Sequence, residues 1–179
     1  NTAGQSTDEI LEQFYAANPD KYQRYDVWQI TKNNRHRQES MMIEALVNEY
    51  DRYYTLFGTD AEDVLMETFM TGAMNIMRSK DFKEKQLDDY IMQLQERRVP
   101  VAEKIDFITH IMLFEQKGKW KEYQALALSG TMEYVGNDAG MLNRIAWNFY
   151  EQVEDKTALK QAQQWASRAF ELETSAAIL

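Results

Sequence analysis

The chain has no cysteine, which excludes a disulfide, a thiolate metal site and thiol redox chemistry within it. It has 2 prolines and 7 glycines in 179 residues, too few turn formers for an all-β domain of this length, so helices are favoured. No apolar run approaches the roughly 20 residues that span a bilayer, and no membrane insertion is expected. There is no basic excess: the net charge is −9, which argues against a nucleic-acid partner and against docking on anionic lipid. The 2 histidines, His36 and His110, stand far apart with no ligand spacing around them, so no metal is expected. His110 lies in the most apolar segment and reads as a satisfied core residue. His36, between Arg35 and Arg37, reads as a solvated helix start. A Gly-x-Ser-x-Gly elbow, a phosphate-binding glycine loop and His-Glu-x-x-His are all missing. No catalytic residue is nominated and no cofactor is expected. With 29 acidic residues, carboxylate pairs arise by chance; Asp88-Asp89 and Glu154-Asp155 read as solvated helix ends.

What is present is ordinary globular material, 44% hydrophobic and 27% charged, with 10 methionines that read as core filler. Apolar spacing marks nine helices. The first, Ser6 to Ala17, has capping-box spacing between Ser6 and Glu9, a stripe of Ile10, Leu11, Phe14 and Tyr15, and a stop at Asn18-Pro19. The second runs from Asp20 to Ile30 with Tyr22, Tyr25 and Trp28 on one face, and Asn33-Asn34 breaks the chain after it. The third carries Ile43, Leu46, Val47, Tyr50, Tyr53, Tyr54 and Phe57, one continuous face closed by Gly58. Thr59 or Asp60 caps the fourth, with Val64, Leu65, Phe69 and Ala73 inward and Gly72 marking a close helix approach. The fifth spans Asp81 to Arg97 and buries Leu87, Tyr90, Ile91 and Leu94.

Pro100 suits the first turn of the sixth, which is apolar on nearly every side from Phe107 to Phe114 and is expected at the centre of the fold. The seventh holds Trp120, Tyr123, Ala127 and Met132. The eighth holds Leu142, Ile145, Ala146, Phe149 and Val153. The ninth holds Leu159, Ala162, Trp165, Ala166, Ala169 and Leu172. Short connections imply antiparallel neighbours. The expected fold class is all-α, an antiparallel helical stack, with a helical region over 1–98 and two helix pairs over 99–179.

Leu142, Ile145, Ala146 and Phe149, followed after a longer turn by Ala162 and Ala169, have the spacing of two helices that touch through small residues. This resembles the tetratricopeptide repeat, with departures at Ala166, where an aromatic is usual, and at Thr174, where proline is usual. The pattern recurs more faintly 35 residues earlier: Phe107 aligns with Leu142, Phe114 with Phe149, and Gly130 supplies the small residue, whereas His110, Ile111 and Tyr123 depart from it. A generic helical bundle with alanine-rich contacts is the competing reading. After Thr174-Ser175, the residues Ala176-Ala177-Ile178 read as the start of a further helix, so the array is expected to continue past Leu179 or to end in a disordered tail.

The stretch Leu142–Tyr150, then Asp155-Lys156, then Ala162–Leu172 resembles the C-terminal helical repeats of bacterial thioredoxin-like proteins. That resemblance implies an accessory helical module, and leaves a periplasmic or otherwise extracytoplasmic setting open. The redox residues of that family have no counterpart here.

Three functions compete on this reading: a non-enzymatic scaffold that binds a protein or peptide, a structural spacer for an upstream redox domain, and an enzyme with a carboxylate or tyrosine site hidden between helices. The scaffold reading nominates Asn143, Trp147, Tyr150 and Glu151 of the eighth helix as the partner-binding face. Asn143, Trp147 and Tyr150 are spaced four and three apart, so they share a side offset from the packing stripe. Burial of Trp147 against the seventh helix or a further repeat is the alternative.

Overall fold

A computed structural model describes residues 7–18 and 21–176. Among the described residues there are ten helices and no strand: α1 (Thr7–Ala17), α2 (Tyr25–Lys32), α3 (Met41–Asn48), α4 (Tyr50–Phe57), α5 (Thr59–Met77), α6 (Glu84–Glu96), α7 (Ala102–Lys117), α8 (Trp120–Val135), α9 (Ala139–Gln152) and α10 (Lys156–Ala176). The expected Ser6 cap, the Pro19 stop, the Asp20 start and the tail from Ala177 lie outside the described residues. The chain forms two compact units, Asn1–Ile105 and Asp106–Leu179; the division lies inside α7, where the sequence reading places it after Arg98.

In the first unit Trp28 anchors the packing of α2. It is 1% exposed and stacks on Phe57, with ring centroids 4.4 Å apart and planes 7° from parallel. The second helix begins at Tyr25, and residues 21–24, expected to be helical, form turns: Arg24 N–H donates to the Lys21 carbonyl, and the Tyr22 hydroxyl donates to the Tyr15 carbonyl at 2.8 Å. Tyr25, expected on the inner face, is exposed.

The long stripe Ile43–Phe57 is two helices, broken at Glu49. Nothing local marks the break, since no glycine or proline stands there. The two halves bury different residues: Met42, Ile43 and Leu46 in α3, Tyr53 in α4. Gly58 does close α4, at φ +60°, and the same residue opens α5, so neither Thr59 nor Asp60 is the cap.

Gly72 marks the close approach expected of it. A Cβ there would strike the Gln38 amide and the Tyr90 hydroxyl. Those two groups form a chain: Gln38 Nε2 donates to the Tyr90 hydroxyl at 2.8 Å, and that hydroxyl donates to the Phe69 carbonyl at 2.7 Å. The Arg97 guanidinium donates to the Gln38 carbonyl and to Glu44, and lies over the Phe69 ring. These contacts tie the loop after α2 to α5 and α6.

The fifth expected helix starts at Glu84, three residues late, where the Gln86 side chain accepts from Lys83 N–H. It ends in a two-bond wrap: Arg98 N–H donates to Gln95 and Val99 N–H to Leu94, both at 2.9 Å. That wrap needs a left-handed residue, and Arg98 takes the role at φ +55°. Pro100 stands before the next helix rather than in its first turn.

In the second unit the core joins Phe107 and Ile111 of α7, Tyr123, Ala127 and Val135 of α8, Leu142, Ile145, Ala146 and Phe149 of α9, and Ala158, Ala162, Trp165 and Ala169 of α10. The helix expected to be buried on all sides is covered on two opposite sides, Phe107 and Ile111 on one and Leu113 on the other, with Ile108, Met112 and Phe114 half-buried between them. His110 is half-buried at its edge, with Nδ1 2.6 Å from the Asp106 carboxylate. Met132, expected inward, is half-exposed. The same wrap that closes α6 closes α7 on Gly118, at φ +63°, with Lys119 N–H donating to Phe114. Asp138 caps α9 through Met141 N–H at 2.9 Å, and Asp155 accepts from Ala158 N–H at 2.7 Å.

Two outcomes follow from these turns and contacts. Arg98→Gly relieves the left-handed strain and should raise stability by about 1 kcal/mol in a denaturant titration; an unchanged or lower midpoint contradicts the strain. Gly130→Ala should lower stability by about 1–3 kcal/mol although alanine is the better helix former. Its Cβ would lie 2.8 Å from two carbons of the buried Phe107 ring, which has no open side to retreat to because Tyr134 packs against it.

Candidate functional site

Helices α9 and α10 run side by side over most of their length. They approach closely because alanines stand at the seam: Ala146 is 7% exposed, Ala162 4% and Ala169 3%. On one side of the seam Phe149 meets Trp165 edge to face, with ring centroids 5.0 Å apart, and α8 covers this side. There Asn148 Nδ2 donates to the Tyr123 hydroxyl at 3.0 Å. Burial pushes the Tyr123 phenol up to about 12, against the opposing effect of the Asn148 bond.

On the other side of the seam Trp147, Tyr150 and Ala166 are exposed. That side holds a groove of about 370 Å³ lined by Asn143, Ala146, Trp147 and Tyr150 of α9 and by Leu159, Ala162, Gln163 and Ala166 of α10. Trp147 is 59% exposed and Tyr150 74%, with ring centroids 5.7 Å apart and planes inclined at 42°. Phe170, one turn beyond Ala166 on the same face of α10, is 70% exposed and extends the apolar surface. Asn143 and Gln163 are exposed amides, one from each helix. No carboxylate, lysine, arginine or histidine lines this groove. Its chemistry is therefore apolar contact and neutral hydrogen bonding.

Three of the four nominated residues, Asn143, Trp147 and Tyr150, come together in the groove. Glu151 is exposed but does not line it: although one turn beyond Trp147, it lies about 140° around the helix from the floor residue Ala146, farther than Tyr150 or Trp147. Trp147 is not buried against α8. The contribution of α10 was not nominated: Leu159, Gln163 and Ala166 form the facing wall. The signal for it was Ala166 itself, a small residue where the repeat pattern places an aromatic. An aromatic there would stand in the groove.

Elsewhere the described residues offer less. A cavity of about 50 Å³ in the first unit, lined by Asn34, Arg35, His36, Val64, Glu67, Thr68 and Thr71, has room for little more than a water molecule. His36 lies in a loop rather than at a helix start, half-buried, with Nε2 donating to the Thr31 carbonyl at 2.8 Å. Among the described residues no group of three or more His, Asp or Glu could hold a metal ion, and no helix is long and apolar enough to cross a membrane.

No protein-family model, curated protein or solved structure matches this chain. The groove therefore has to be read from its own residues.

The phenol beneath α9 gives a pH test. Tyr123 ionises near 10 in an unfolded chain and near 12 in the folded one, so its contribution to stability is complete below about pH 10 and is lost as pH rises through about 12. Denaturant midpoints should fall across that window, and Tyr123→Phe should make the fall shallower; an equal fall in the variant would place the loss on other groups.

Proposed function

We propose that this chain is a non-enzymatic helical scaffold that binds a protein or peptide partner in the α9–α10 groove, and that its second unit is built from two tetratricopeptide-like helix pairs. The observation that carries the reading is the exposure of Trp147 and Tyr150 side by side over a floor of alanines. Large rigid aromatics at a solvent-facing concavity lose little side-chain entropy on binding and offer much contact area, which is the composition of an interaction hot spot. The amides of Asn143 and Gln163 add hydrogen bonds that a polypeptide backbone can satisfy in either direction. Service as an accessory module of a thioredoxin-like protein is the narrower form of this proposal, supported by the resemblance over Leu142–Leu172 alone.

A displayed random-peptide library selected on the full chain tests it. The selected peptides should lose binding by about tenfold or more on Trp147→Ala. The same variant should unfold within about 0.5 kcal/mol of the parent, because the side chain is mostly in solvent. Peptides that bind equally well without the indole, or a library that yields no binder, would overturn the groove as the binding site.

A further inference from the structure

The two helix pairs of the second unit can be laid on one another. Residues of α7 match those of α9 at 35 positions on, and residues of α8 match those of α10 at 39 positions on, the extra four being one more turn residue after α9 and three more residues at the start of α10. On this register the floor residues Ala146 and Ala162 and the wall residue Ala166 correspond to Ile111, Tyr123 and Ala127, and Tyr150 corresponds to Glu115. In the first pair that face is not bare. Ile111, Tyr123 and Ala127 are 0%, 1% and 0% exposed. What lies across them is α9: Asn148 bonds the Tyr123 hydroxyl, the Phe149 ring lies 6.1 Å from the Tyr123 ring, and the Arg144 guanidinium meets Glu115 at 2.8 Å.

We propose that the α9–α10 groove seats an amphipathic α-helix of a partner polypeptide, which docks there as α9 docks on α7–α8. This deepens the scaffold reading and rests on it. The guest presents apolar side chains at the spacing of Leu142, Ile145 and Phe149 in α9, a stripe of i, i+3 and i+7 that covers about 10 Å of helix. The span from Asn143 to Tyr150 along the groove is the same seven residues.

Three substitutions between the pairs set the guest's chemistry. Ala146 and Ala162 stand where the first pair has Ile111 and Tyr123, so the floor is lower and the guest carries larger side chains than α9 does. Tyr150 stands where the first pair has Glu115, so the guest needs no arginine at the position of Arg144. A second copy of this chain does not supply the stripe from α9, because Leu142, Ile145 and Phe149 are each 0% exposed in their own fold.

The probe is a displayed library on the sequence of residues 139–153, with positions 142, 145, 146 and 149 varied among apolar types, selected on the full chain. The best peptide is then synthesised with a fluorescent label, alongside a version carrying proline at position 145. The expected result is saturable binding by anisotropy, a gain of peptide helicity on binding, and weakening by tenfold or more for the proline peptide. Ala166→Arg in the full chain should weaken binding comparably. Its side chain is exposed, so circular dichroism and melting should match the parent.

Equal binding of the proline peptide, or binding that survives Ala166→Arg, overturns the helix as occupant. Trp147-dependent binding of extended peptides from the random library, with none from the helical one, overturns the helix but leaves the scaffold. Absence of Trp147-dependent binding from both overturns the two together. Self-association by sedimentation that Ala166→Arg abolishes would assign the groove to a second copy instead.

Discussion

Close approach of α9 and α10 through alanines is the constraint on which the second unit depends. Where Ala146, Ala162 and Ala169 meet the facing helix, the two backbones come near enough for Phe149 and Trp165 to interlock on the covered side. The same small residues leave nothing to fill the opposite side, and the groove there is the geometric consequence. Stability and the candidate site thus have one origin. Larger residues at the seam would separate the helices; larger residues on the groove floor would close it. Trp147 and Tyr150 need only stand at the rim, where their exposure costs the fold little.

The first unit is organised by aromatic burial and a polar clasp rather than by small residues. Trp28 stacks on Phe57, and Tyr15, fully buried, meets the Thr31 hydroxyl at 2.9 Å. The chain from Gln38 through the Tyr90 hydroxyl to Phe69 threads the space that Gly72 leaves open. Burial raises the Tyr90 phenol to about 12 and the Tyr53 phenol further, so these two side chains keep their protons well above the ordinary phenol range.

Much of the architecture was legible in the sequence where local chemistry and periodicity agreed. The α9 stripe of Leu142, Ile145, Ala146 and Phe149 is buried as its spacing requires, and Gly58 and Gly118 sit at positive φ where helices end. That three of the four candidate residues meet in one groove was legible for the same reason, since Asn143, Trp147 and Tyr150 share a side of one helix. The facing wall was not, because Leu159, Gln163 and Ala166 belong to another helix whose rotation about its axis is set by contact, not by spacing. The break at Glu49 was equally hidden: the stripe from Ile43 to Phe57 has helical period throughout, and either one straight helix or two bent ones would satisfy it.

By itself, then, the sequence determined that this is a helical protein, most of where its helices lie, and which residues along each helix share a side. Those properties follow from backbone periodicity, capping side chains and the scarcity of turn formers, all of which act within a few residues. The tertiary structure alone decided which sides are covered. Trp147 and Trp165 are both large, both on amphipathic helices and both flanked by alanine, yet one is 59% exposed and the other 1%. What separates them is α8, which packs on the side of the α9–α10 seam that Trp165 faces and not on the side that Trp147 faces. Burial is a relation between elements distant along the chain, and no local pattern contains it.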